Sequence, residues 1–432
     1  MSESPSTWRD PDLGKSPEVL LAERARRLDD ALAMRRPDRI PLQLKPGFLA
    51  AEMAGEPHGV MFSDPERALQ LQVAAAIRFG PDTMAAGMGT PGPSEALGDR
   101  MTKWPGYGFD EHGSFQFVEH EFMKADEYDR FIFDPSDYAI RTYLPRAFSE
   151  LEGLARLPPI GMWNFGYYNL GSVGLLGSDE VVRAFEALAE AARRQRAYGE
   201  WAARATEALE AVGIPPVPWR GSLIEAPFDF MSDTLRAMKG IFLDLRRQPD
   251  QLLKAQEKAI RIQVEHAVHF KEATGLTWTS IPLHRGSDGM MSIPQFEKHY
   301  WPQLKDMLLQ LIDAGITPNV FYEGVWDQRL EYLAELPRGR TTGMFQSTDL
   351  FKAKEVLGDT MAILGGMPTS LLRAGPVSAI REHTHEICER VGKGGGFVMQ
   401  PTINEMEGGD PALISAWIAA TREFGVYDTD TA

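Results

Sequence analysis

The chain has 432 residues, 43% of them hydrophobic and 25% charged, enough to bury a large core. Its formal net charge of −16 argues against nucleic acid or an anionic membrane surface as a partner, since both select basic patches. A single cysteine, Cys388, excludes an internal disulfide and any multi-cysteine metal site. No apolar run reaches the roughly 18 residues that span a bilayer. The opening Met1-Ser-Glu-Ser-Pro-Ser-Thr7 has neither the basic nor the hydrophobic part of a secretory leader. A soluble, cytoplasmic protein is expected, with a homodimer left open.

Residues 1 to about 16 read as a loose polar arm. An amphipathic helix from Pro17 to Met34 follows, and then a first strand at Arg39–Leu44. Asp64 to Arg78 has helical spacing, with Asp64 as N-cap and Pro65 at the first helical position. A second strand begins at Asp82. Met101 to Phe122 alternates between glycines, which predicts an antiparallel excursion. Tyr138 to Leu157 reads as a helix.

The glycine- and aromatic-rich stretch Pro159–Gly174 reads either as a lid lined by Trp163, Phe165, Tyr167 and Tyr168 or as a pinned surface loop. A long alanine-rich helix, Asp179 to Val212, leads to a third strand at Val217–Ile224. Helices at Asp250–Ala273 and Ser292–Ala314 flank a fourth strand from Trp278 to His284. The fifth strand ends on Glu323. Strands at Thr341–Ser347, Met361–Gly366 and Gly395–Gln400 follow, and a last helix runs from Pro411 to Phe424. Gly392–Gly396 reads as a tight turn, with an anion cradle as the rarer alternative.

Eight strand candidates, most followed by a helix, predict an α/β fold of the (β/α)8 TIM-barrel type. We read residues 1–37 as an N-terminal arm and helix, and 38–432 as one barrel domain with insertions. No Gly-x-Gly-x-x-Gly follows the first strand, which weighs against a dinucleotide-binding open sheet.

Polar residues at strand ends mark the candidate site, because barrels keep their chemistry there. Glu225, His284, Arg285, Asp288, Glu323, Arg329, Asp349 and Gln400 fall at such places. Glu323 and His284 are the candidates for catalysis, with Asp288 and Arg329 to orient them. Glu323, His284 and Glu225 would form the metal site if zinc is bound, acting as a Lewis acid. Without metal, His284 or Glu323 would serve as general acid. Phe228 and Tyr322 join the four loop aromatics as candidate substrate contacts. The alternative is that His284–Asp288 and Glu323–Arg329 are satisfied pairs that hold loops.

The order of several motifs resembles the uroporphyrinogen decarboxylase superfamily from about Arg39 onward. The carriers are Ala226-Pro-Phe-Asp229, Met290-Met-Ser-x-x-x-Phe-x-x-x-Tyr-Trp-Pro302, Asp349-Leu-Phe-Lys-Ala-Lys-Glu-Val-Leu-Gly358, Ile363-Leu-Gly-Gly-Met-Pro368 and Gly394-Gly-Gly-Phe397. The resemblance implies a (β/α)8 barrel with its site at the C-terminal mouth, in a family of porphyrinogen decarboxylases and of methyltransferases serving corrinoid proteins. The decarboxylase's Arg-Gln-Ala-Gly-Arg-Tyr is matched here by Leu44-Lys-Pro-Gly-Phe-Leu49, without its arginines. The place of its pyrrole-binding aspartate falls near Gly87–Pro91, where no carboxylate stands. The methyltransferases' zinc-binding His-x-Cys and second Cys are matched by Phe321-x-Glu323 and Gln400, so a thiolate site is excluded.

The expectation is therefore a methyltransferase, closest to the O-demethylase branch. It would move a methyl group from a small methylated substrate, an aryl methyl ether or a methylamine, to the cobalt of a separate corrinoid (cobalamin) protein. A decarboxylase or lyase acting on a small carboxylic acid is the first alternative, and a binding barrel without catalysis the second.

Overall fold

The computed structural model describes residues 10–427 except 164, 169, 404 and 405. Six parallel strands form one continuous sheet: β5 (Ser222–Leu223), β6 (Trp278–Leu283), β7 (Thr317–Tyr322), β8 (Thr342–Phe345), β9 (Ala362–Met367) and β10 (Phe397–Pro401). A further parallel pair, β1 (Gln43–Leu44) and β2 (Thr83–Met84), fills the remaining arc. Leu42 bridges to Met399 and Met84 to Pro216, both in parallel, so β1 joins β10 and β2 approaches β5. The ring is thus a (β/α)8 barrel, with the β2–β5 seam its thinnest wall. The antiparallel excursion forms outside it as β3 (Thr102–Lys103) and β4 (Gln116–Phe117).

Local chemistry fixes the helix ends. Asp64 accepts from the Arg67 N–H at 3.0 Å, Pro65 opens the helix Pro65–Phe79, and Gly80 in the left-handed region ends it. Two expected helices are broken. Ser292–Ala314 is two pieces, Ile293–His299 and Trp301–Asp313, divided at Tyr300; Pro302 has no N–H to continue the first ladder. Tyr138–Leu157 becomes a π turn at Ala139–Tyr143, a short α turn and a 3₁₀ segment at Ser149–Arg156. Gly153 there lies so close to the Glu180 carbonyl that a Cβ would meet it at 2.0 Å.

The N-terminal helix Pro17–Leu32 closes the barrel floor. Its Leu28, Ala31 and Leu32 pack on Met344, Ala362, Leu364 and Val398, inward-facing residues of three strands. A buried ionic network pins it: Asp82, at the start of β2, accepts from Arg27 at 2.6 Å and from Arg39 at 2.6 and 2.8 Å. With the floor sealed, the functional end is the C-terminal mouth.

Candidate functional site

His284 and Glu323 directly follow β6 and β7, and Glu225 stands two residues past β5, all three on neighbouring strands of one parallel sheet. They therefore open at the same end of the barrel. Gly324 allows the chain to turn away behind Glu323: it sits at φ +75°, and a Cβ there would press on Ser287 at 3.2 Å. Glu323 lines a cavity of about 510 Å³ that runs into the barrel between Gln43, Ser280, Asn319, Phe321 and Met344.

His284 is the best-anchored group at this mouth. Its Nδ1 bonds the Asp233 carboxylate, and its Nε2 lies 3.5 Å from Glu323 Oε1. Acceptors stand at both ring nitrogens, so both carry hydrogen and the ring is an imidazolium. Burial alone would lower its pKa; the bond to Asp233, the Glu323 carboxylate and the field of Asp229 outweigh that and raise it to about 10.

Asp229 is fully buried and works on the backbone. It accepts from the His284 N–H at 2.9 Å, the Arg285 N–H at 3.1 Å and the Tyr300 hydroxyl at 2.8 Å. Burial pushes its carboxyl up to about 6. Arg285 donates to Asp233 at 2.6 Å, to Ser232 at 3.0 Å and to Glu119 at 3.2 Å. Glu225 takes a hydrogen bond from Thr234 at 2.8 Å, and burial pushes it to about 7, so near neutrality it is protonated in a sizeable fraction of molecules.

The sequence reading missed Asp229 and Asp233, although a signal was present. Glu225, Asp229 and Asp233 recur every four residues, the spacing of one helical face. The helix that carries Asp229 and Asp233 starts at Pro227, just past Glu225, and winds as a π turn from Phe230 to Arg236. It ends on Ala237 at φ +57°, a conformation that costs a side-chain-bearing residue roughly 1–3 kcal/mol. Arg236, buried and bonded to Asp244 at 2.6 Å and to Glu121 at 2.6 Å, holds the chain there.

Several expected roles are corrected. Asp288 and Arg329 do not orient Glu323 or His284. They bond each other, Arg329 also donates to the Met291 carbonyl at 2.6 Å, and Asp288 accepts from the Gln328 N–H at 3.1 Å. The pair ties the β6 loop to the β7 loop, as the loop-holding alternative had it. Phe228 packs in the core on Tyr300 and Phe242. Tyr322 stacks on Phe345 outside the barrel lumen, because its neighbour Phe321 takes the inward place. Trp163 packs on the Leu151–Val181 cluster with Phe165 beside it, and Tyr167 and Tyr168 are 92% and 94% exposed. The flat surfaces that line the cavity are instead Phe115, Trp219 and Phe321. Of the proposed lid, Asn164 and Asn169 lie outside the described residues.

The expected zinc ligands do not fit a metal. Among the described residues, no three His, Cys, Asp or Glu side chains converge as a ligand set. His284 is bonded through Nδ1 to Asp233 and faces only one further carboxylate, Glu323, with Nε2. Glu225 is bonded to Thr234 and is the carboxyl here that burial drives furthest toward its neutral form. Elemental analysis after dialysis at neutral pH is expected to find no stoichiometric zinc; a full complement retained would overturn this assignment.

The arrangement holds a histidine among carboxylates, beside the Glu323 that lines an aromatic-walled cavity. Known proteins agree with the architecture. The solved structure of a methyltransferase from Methanosarcina mazei superposes with a TM-score of 0.56 over 92% of this chain and 98% of its own, at 17% identity, which shows a common fold. Uroporphyrinogen decarboxylase of Hydrogenovibrio crunogenus is 30% identical over 129 residues, and that of Pseudomonas paraeruginosa 29% identical over 141. These alignments span 30% and 32% of this chain but only 36% and 38% of the relatives. The profile of the uroporphyrinogen decarboxylase (URO-D) family matches residues 185–424, which carry all six strands of the main sheet. The chain belongs to the uroporphyrinogen decarboxylase family.

Proposed function

We propose that this protein is a methyltransferase that takes a methyl group from a small methylated substrate and delivers it to the cob(I) centre of a separate corrinoid protein. The observation that carries the reading is the His284 imidazolium, clamped by Asp233 and 3.5 Å from Glu323, which lines the cavity. An alkoxide or amide anion is a poor leaving group, so a C–O or C–N bond breaks readily only if the heteroatom is protonated as it leaves. His284 supplies that proton. The C–O electron pair stays on oxygen, the proton passes from imidazolium to that oxygen, and the new bond to carbon forms with the electron pair of the cob(I) acceptor. Asp233 and Glu323 then stabilise the ring on reprotonation, and Asp229 keeps the peptide of His284 in place.

The carboxylates around His284 favour a neutral group at the reacting end. Glu119, Glu225, Asp229, Asp233 and Glu323 cluster around His284 and Arg285, and Arg285 is already bonded to two carboxylates, while Lys45 and Arg220 line the cavity that Glu323 enters. A neutral ether meets no repulsion from these carboxylates and keeps a lone pair to accept the His284 proton. The superposed methyltransferase supports the choice within the family.

The test is to mix the purified chain with cob(I)alamin and a panel of methoxylated arenes and methylated amines, and to follow the loss of the Co(I) absorption band. Enzyme-dependent alkylation of cobalt by at least one donor is expected. If no donor alkylates cobalt and a small carboxylic acid instead releases carbon dioxide, the protein is a decarboxylase, like the relatives it aligns with in part.

A further inference from the structure

Two buried glutamines stand in the barrel wall with a polar atom unsatisfied. Gln43 on β1 is 5% exposed and lines the cavity, yet its Oε1 has no hydrogen-bond partner. Gln400 on β10 is 3% exposed, and its Oε1 is unpartnered too. The parallel bridge Leu42–Met399 places the two glutamines side by side, each one residue further along its strand and both on the opposite face from the bridge pair. An unmet buried acceptor costs about as much as a good hydrogen bond gains, so a donor that met both glutamines would be bound with that gain. Their neighbour Asn319 makes the contrast: its Oδ1 accepts from Thr342 at 2.7 Å.

The rest of the wall says what completes them. Phe321, Pro282, Met344 and Trp219 give the cavity flat apolar sides, while Glu323 stands at its rim. We propose that Gln43 and Gln400 form a subsite for a hydrogen-bond donor, a ring hydroxyl or amino group, on an aromatic substrate whose reacting methyl lies toward His284 and Glu323. The ring lies between the aromatic walls, and the amide torsions, which are broad for glutamine, turn the acceptors to the donor. The subsite thereby sets specificity: a site built to bond a hydroxyl rejects the analogue that lacks it. Only the naming of the reacting end rests on the methyl-transfer reading; the donor subsite stands on the glutamines.

Calorimetric binding of 2-methoxyphenol and methoxybenzene to the full chain tests it. The wild type is expected to bind the phenol at least about tenfold more tightly, the scale of one buried hydrogen bond. Gln43→Leu and Gln400→Leu should each erase most of that preference while leaving methoxybenzene binding unchanged. Gln43→Glu, which keeps an acceptor, should retain it, and this guards against a variant that merely unfolds. No binding of either compound, or a preference that survives both leucine substitutions, overturns the subsite. A preference that behaves as expected in a protein that alkylates no cobalt supports the subsite and removes the methyl-transfer reading instead. In turnover, the leucine variants should raise KM for hydroxylated donors and leave kcat within about threefold, since neither glutamine touches the reacting bond.

Discussion

His284→Gln is expected to slow methyl transfer at least about a hundredfold, the scale for losing one acid or electrostatic group, with the fold retained. Glutamine keeps a donor for Asp233 but has no proton to give. Asp233→Asn should act in the same direction without touching substrate, because it removes the negative charge that keeps His284 protonated. The pH profile separates this role from a structural one. A folded pKa raised from 6.5 to about 10 means that the imidazolium and its contribution to stability are complete below 6.5 and lost as the pH rises through about 10. The rate should therefore be insensitive to His284 across the neutral range and fall on the alkaline limb, and in Asp233→Asn that limb should move toward lower pH. A wild-type rate that rises as the pH passes through about 10 would show His284 acting as a base, and would sink the acid assignment.

The second large effect lies at the other end of the barrel. Asp82→Asn is expected to cost about 3–5 kcal/mol, because it strands buried cations rather than deleting a contact. Arg27 and Arg39 both end on this carboxylate, Arg24 lies 3.9 Å away, and the Leu42 N–H donates to it at 2.8 Å. Burial pushes the Asp82 carboxyl up, but the Arg39 and Arg27 guanidiniums overcome this and hold it below its ordinary 3.8. The sign is therefore that of a depressed acid: the stabilisation is present above that ordinary value and disappears as the pH falls through the lower folded one. Urea midpoints of both proteins measure the loss. A change below about 1 kcal/mol, the scale of an exposed pair, would show that the network does not anchor the floor helix.

A structural reason links the two ends. The floor helix, β1 and β2 meet at Asp82, and β1 carries Gln43 into the cavity. Loosening that anchor is expected to blur the cavity wall before it disturbs His284, whose supports come from the β5 and β6 loops.

The sequence by itself determined the element types and the strand ends. Apolar runs bounded by glycine and followed by helical spacing are local signals, and they placed the parallel strands, their order and the emergence of Glu225, His284 and Glu323 at one mouth. The capped helix at Pro65–Phe79 was legible for the same reason: Asp64 and Pro65 act on their own backbone. Facing was not legible. Phe321 and Tyr322 are adjacent and both aromatic, and only the pairing of β7 with β6 and β8 sends the first into the cavity and the second into the outer core. Partner choice was not legible either. Asp288 found Arg329 across two loops, and Asp233 reached His284 from 51 residues away. Those pairings follow from where a parallel barrel sets its successive loops side by side, so the tertiary structure alone decided which charges hold the scaffold and which one is left to give a proton.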